Sequence, residues 1–181
     1  MASPQALTES DRRLVALWAA DCAERVLALF EAEAPADDRA RDGIARARAF
    51  GRGEFDAASQ IRYRFVANRA SKSASTPAAV AAAYAAGQAS GVAHMGHALG
   101  AAAYAAKAAS LAAGDPESAR QDEVRWQLDH KTLEVRTALA QLPRLGEDSS
   151  GPLGTGLLAS GVLATTIWDL QAALAAESPT T

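Results

Sequence analysis

Two of the three histidines in this 181-residue chain, His94 and His97, stand three apart in the segment AHMGHALGAAAYAAK, otherwise rich in alanine and glycine. Residues i and i+3 share one face of a helix, so both imidazoles can serve a single site. Tyr104 follows His97 by seven positions and falls on the same face. Imidazole titrates near neutral pH, which leaves three kinds of chemistry open: metal ligation, acid–base catalysis, or hydrogen bonding in a helical interior. Asp21, in the stretch LWAADCAE, lies three after Trp18 and four after Leu17, near the apolar side of its helix. Burying a carboxylate without a partner is expensive, so Asp21 must find an arginine, a histidine or a helix N-terminus. Arg25, four residues on, offers an ordinary ion pair. A histidine partner would instead have its tautomer fixed by the acid. If the chain is an enzyme, its catalytic candidates are therefore His97, His94, Asp21 and Tyr104. A ligand pocket would be lined by Trp18, Asp21, His94, His97 and Tyr104.

Metal binding is not expected. Two-histidine metal motifs on helices use i, i+4 spacing with a nearby glutamate. Here the nearest acid is Asp115, and the remaining histidine, His130, is far along the chain beside Asp129. Cys22 is the single cysteine, so neither an internal disulfide nor a Cys-rich metal site can form. No basic cluster adjoins it, and it reads as a small core residue. The chain has no P-loop, no dinucleotide glycine fingerprint, no nucleophile elbow and no CxxC, so no cofactor is expected.

These side chains must be placed by helices. Alanine supplies roughly a quarter of the residues and aromatics only 6%. Alanine is the best helix former, and its size lets helices approach closely. TESD at 8–11 has the form of a capping box with Thr8 as N-cap. The helix that follows ends near Glu33, before Pro35, and a second runs from Asp37 or Asp38 to Gly51–Gly53. EFDAASQIRYRFVANRA predicts a third, with Phe55, Ile61, Phe65 and Val66 on its apolar side, followed by the polar linker SKSAS. Thr76–Pro77 is a strong start signal. An unbroken helix from Ala78 to Ala113 would be roughly 54 Å long, too long for a domain of this size, so a break is expected between Gly91 and Gly96. Gly87, Gly91, Gly96 and Gly100 form small-xxx-small pairs, which make room for another backbone or for a ligand beside His97 and Tyr104.

Gly114, Asp115 and Pro116 stop one helix and start the next. The expected plan is a single helical domain over 1–181. It comprises a long helix in 114–143, a flexible connector at 144–154 and a C-terminal helix at 155–176. No stretch alternates as a strand would. The fold class is all-α, a compact orthogonal or bundle-like array of six to eight helices without a sheet.

Net charge is −3, which disfavours a general nucleic-acid binder. No signal-like apolar core and no membrane span is evident, so a cytoplasmic bacterial protein without a membrane partner is expected. One stretch departs from the acidic average: Arg39, Arg41, Arg46, Arg48 and Arg52 form a basic stripe, continued by Arg62, Arg64, Arg69 and Lys72. Such a run is a solvated face, a docking surface for an acidic partner, or an anion site at a helix end.

Three segments carry a resemblance: LWAADCAERVLALFE, DDRARDGIARARAFGRGE and AAYAAGQASGVAHMGHALGAAAYAAKA, in this order across about residues 14–113. Together they resemble the bacterial family of group-five-like immunity domains associated with polymorphic toxin systems. HALGAAAYA after the glycine–alanine run is the most telling part. The resemblance implies an all-helical domain that binds and neutralises a cognate toxin. It places Trp18, Asp21, Cys22, Asp38, Arg39, His94, His97 and Tyr104 on positions the family pattern marks, with no catalytic role attached. The third helix is less alanine-rich than the family's, and the C-terminal connector and helix lie beyond the matched part.

Two functions stay open. One is a non-enzymatic immunity-type protein whose partner, the toxin, engages the Arg39–Arg52 stripe. The other is a small-molecule-binding enzyme or resistance protein of a biosynthetic cluster, with an acid–base site at His94, His97 and Asp21. The apolar last helix can pack on the chain's own core or, in a homodimer, on a second copy.

Overall fold

The computed structural model describes residues 8–92, 94–149 and 151–176, with the backbone alone at 57, 58, 60–62 and 64. The capping box at Thr8 and Asp11 opens α1 (Glu9–Glu31). Next comes α2 (Arg39–Gly51), whose N-cap Asp38 makes no capping hydrogen bond. Asp56 caps α3 (Ala57–Asn68) by accepting from the Ser59 amide. Thr76 with Pro77 opens α4 (Pro77–Ser90), and α5 (His97–Ala112) follows the expected break. Asp115 with Pro116 opens α6 (Pro116–Asp129), and α7 (Leu133–Ala140) and α8 (Gly161–Ala176) complete the set. The described residues form eight α-helices and no strand.

Between α4 and α5 the chain turns through 3₁₀-type bonds rather than helix. His94 N donates to Gly91 O and His97 N to His94 O, each at 3.0 Å. The helix expected across 114–143 is divided. At its break His130 Nδ1 lies 2.8 Å from the Trp126 carbonyl, and Thr132 then accepts from Val135 N to start α7. Thr132 is a start signal hidden in an otherwise continuous helical pattern.

The apolar side expected for α3 also differs. Phe65 is 56% exposed and Val66 is exposed too, while Phe55 is half-buried. The side chain of Ile61 lies outside the described residues. α3 meets its neighbours through small residues instead: Ala67 is fully buried, and a Cβ placed on Gly43 would come within 2.9 Å of the Ala67 Cβ. Beside that close approach, Phe65 and Val66 stay exposed.

α4 and α5 are apolar on nearly every side and are accordingly enclosed. α4 packs against α1, α2, α3 and α5, and α5 against α1, α4, α6 and α8. Every residue from Ala98 to Ala106 is buried. The bulk comes from the surrounding helices, where Phe30, Ile44, Phe50, Leu139, Ile167, Leu170 and Leu174 are buried. Small residues on the central helices receive large ones from the periphery, which fills the interior at high density.

α8 begins at Gly161, after a single 3₁₀ turn at Leu157–Ala159. It is tied to α6 by Arg120, 4% exposed, whose Nη1 reaches Asp169 Oδ2 at 2.8 Å while Nη2 reaches Glu117 Oε1 at 2.7 Å. The connector expected to be flexible is packed. Leu145 and Leu153 are buried, and the Gly146 N–H donates to the Leu153 carbonyl at 2.7 Å. Gly146 adopts φ +96°, which only glycine takes without strain. No described helix is long and apolar enough to cross a membrane.

Candidate functional site

His94 sits in the turn between α4 and α5, and His97 is the first residue of α5. The turn preserves the juxtaposition the spacing suggested: the ring centroids are 5.8 Å apart and nearly edge-on. Both side chains are half-buried. His97 Nδ1 lies 2.7 Å from Gln88 Oε1, and an amide oxygen only accepts, so Nδ1 is the donor in this contact.

The acid beside the histidines is one the sequence did not single out. A Cβ built on Gly151 would lie 1.9 Å from Asp148 Oδ2 and 2.6 Å from His94 Cε1, so both groups border one small space. Asp148 belongs to the connector, some fifty residues from His94, in a Gly/Ser-rich stretch that gave no chemical signal. Gly96 and Gly100 face protein atoms. A Cβ on Gly96 would meet Pro152 Cγ at 2.7 Å, and one on Gly100 would meet Gln88 Oε1 at 2.3 Å and Leu158 Cδ1 at 3.1 Å. At these points connector side chains and Gln88 occupy the room that small residues leave.

The other three residues expected at the site are committed to protein partners. Asp21 is exposed rather than set toward the apolar side, so burial does not dictate its partner, and it pairs with Arg48 on α2 at 2.7 Å instead of Arg25. Arg25 instead clasps the buried Glu123 through Nε, at 2.9 and 3.1 Å, and lies 4.0 Å above the Trp126 ring. Trp18 Nε1–H donates to the Gln127 carbonyl at 2.9 Å inside the core. Tyr104, 4% exposed, stacks on Tyr84 with centroids 5.2 Å apart. Burial pushes its phenol up to about 12, so it stays protonated at neutral pH. Cys22 is fully buried, and desolvation followed by the charges of Glu123 and Asp21 raises its thiol further. It is inert packing. Among the described residues no three His, Cys, Asp or Glu side chains gather so as to hold a metal.

Four arginines of the α2 stripe have carboxylate partners. Arg39 pairs with Asp37 and Arg41 with Glu31, each at 2.5 Å. Arg48 bridges Asp21 and Glu24, and Arg52 meets Glu54 at 2.6 Å. Hydrogen bonds from Arg48 hold the Glu24 carboxyl below its ordinary range, and those from Arg39 do the same for Asp37. Arg46 is different. Its guanidinium carbon lies 4.3 Å from the Tyr63 ring centroid and 4.7 Å from that of Phe55, with no ion pair among the described residues. It lines an open cleft between α2 and the start of α3.

Two further clefts flank α8. Leu139, Leu142 and Leu174 line one, Trp168 and Glu147 the other, and Arg144 and Gln171 border both.

Residues 5–134 match the model of the family described as Imm-5 like putative immunity protein. No curated protein and no solved structure shows a significant match to the chain.

Proposed function

The chain belongs to the Imm-5 like putative immunity protein family, and from that premise we propose that it neutralises a cognate toxin by non-enzymatic binding. The observation that carries this reading is the outer face of α1 and α2. There Asp21, Glu24, Glu31, Arg41 and Arg48 form a mosaic of both signs whose members are already held in place by one another. Single exposed pairs add little stability. As a set they fix long side chains in advance, which lowers the entropy lost on docking and presents a charge pattern that steers a complementary surface. Neutralisation of this kind needs no chemical step. Asp21 and Tyr104, two of the groups that could do chemistry, are taken up by an ion pair and a core stack. The test uses a toxin domain sought among the products of the genes adjoining this chain's own. One equivalent of the purified chain is expected to abolish toxicity and to form a one-to-one complex by calorimetry. Undiminished toxicity at saturating chain would overturn the reading.

A second reading rests on the histidines. His94, with His97 edge-on to it and Asp148 across Gly151, offers an acid–base set in which Asp148 takes the part expected of Asp21. It requires a small molecule whose turnover or binding falls in His97→Ala and Asp148→Asn alike. Full activity in both variants would exclude it.

A further inference from the structure

Arg46 is the stripe's exception, and its surroundings say what it lacks. The guanidinium carbon lies over both the Phe55 and the Tyr63 ring, 4.7 and 4.3 Å from their centroids, so two aromatic rings contact the charge and its N–H groups are the means of further bonding. Nε is buried and has no acceptor among the described residues. The two acids that line the cleft among the described residues do not fill the gap. Glu54 is bound to Arg52 through two hydrogen bonds, at 2.6 and 3.2 Å, and Asp42, one turn before Arg46 on α2, lines the cleft without forming an ion pair with it. A partly buried arginine packed on two aromatic rings matches the composition of energetic centres in protein interfaces. The cleft is open to solvent, so it does not enclose a free small anion. A carboxylate presented on a partner surface would bring the remaining wall with it.

We infer that this cleft is the anchoring pocket for an acidic side chain, an aspartate or glutamate of a bound protein, received by Arg46 beside Phe55 and Tyr63. That the protein is a toxin rests on the immunity reading; the chemistry of the pocket does not. Asp42 works against the incoming charge and so sets a threshold, which gives the pocket a variant predicted to improve it.

The full chain, labelled at arginine Nε, is titrated with the peptide Ac-Ala-Glu-Ala-NH2 and its glutamine counterpart while the arginine Nε–H resonances are followed. The glutamate peptide is expected to shift Arg46 saturably in the millimolar range, with the glutamine peptide silent. Asp42→Asn should tighten binding and Arg46→Gln abolish it, while Arg46→Lys, which keeps charge and stem but loses the fork, should weaken it several-fold. Equal shifts at Arg39, Arg41 and Arg52, or equal response to both peptides, would overturn the pocket. So would self-association by sedimentation that Arg46→Gln removes, since the occupant would then be a second copy. Against a toxin that the chain neutralises, Arg46→Gln is expected to lose about 30-fold or more in affinity. Neutralisation with unchanged affinity in that variant discards the pocket and keeps the immunity reading. Peptide binding without neutralisation does the reverse.

Discussion

Asp21 Oδ1 lies 2.7 Å from Arg48 Nη2, and this contact between α1 and α2 removes the acid from any role at the histidines. Both partners are partly exposed and Arg48 is shared with Glu24, so the pair tunes a surface rather than a core. Asp21→Asn is therefore expected to change unfolding free energy by less than about 1 kcal/mol, with the remaining effect fading as salt is added. The His97 imidazole titration, followed by NMR, should be unmoved. A displaced His97 titration would return Asp21 to the histidine site.

Gln127 shows the opposite economy. It is fully buried, donates to the Ala102 carbonyl at 3.0 Å and to Glu123 Oε1 at 3.3 Å, and offers its own carbonyl to Trp18. Gln127→Met keeps most of the volume but strips a donor from two buried acceptors. Chemical denaturation should show a loss of about 1–3 kcal/mol. A neutral result would mean that water replaces the amide.

Arg120 fastens the part of the chain that lies past the family match. Arg120→Met removes its bonds to Glu117, Asp169 and Thr166, but leaves both carboxylates partly exposed and able to hydrate. The cost is then about 1–3 kcal/mol, below that of stranding a fully buried charge. Hydrogen exchange should rise along α8 first and leave α1 and α4 protected. Uniform exchange across all helices would mean that α8 is not a separately fraying unit.

Acid should destabilise the fold through identifiable carboxylates. Glu33 is lowered to about 2, first by the Ser75 amide and then by the Thr76 hydroxyl and amide; Glu117 is lowered to about 2 by Arg120 and Gln121. Both folded values lie below the unfolded one of about 4.3. Their stabilisation is thus complete above that value and fades as pH falls toward about 2. Thermal melts between pH 5 and pH 2 should show this slope. Glu33→Gln should lower Tm at pH 7 and flatten the slope; an unchanged slope refutes the assignment.

Gly43→Ala sets helix propensity against packing. The substitution gains up to about 1 kcal/mol as a helix former. Its methyl would, however, stand 2.9 Å from the Ala67 Cβ and 3.4 Å from the Ala86 carbonyl, so α3 or α4 would have to give way. A net loss of about 1–2 kcal/mol is expected by denaturation; a gain would show that α3 can move away.

Helices, caps and breaks were legible because they are local. Thr8 with Asp11, Thr76 with Pro77 and Asp115 with Pro116 satisfy helix-end donors from a few residues away, and four glycines announce the turn at residues 91–96. Thr132 was missed because nothing around it interrupts the helical pattern. The pairing of His94 with His97 followed from spacing alone, and the 3₁₀ turn happens to preserve it. Partner choice was not legible. Asp21 had Arg25 one turn away yet binds Arg48, since Arg25 gains more by neutralising the buried Glu123 than by sharing an exposed acid. Asp148 comes to border the same glycine as His94, and Arg46 is left without the carboxylate partner that Arg39, Arg41, Arg48 and Arg52 have, only once connector and helices are packed. Local free energies are written in neighbouring residues; which charges meet depends on which faces burial brings together.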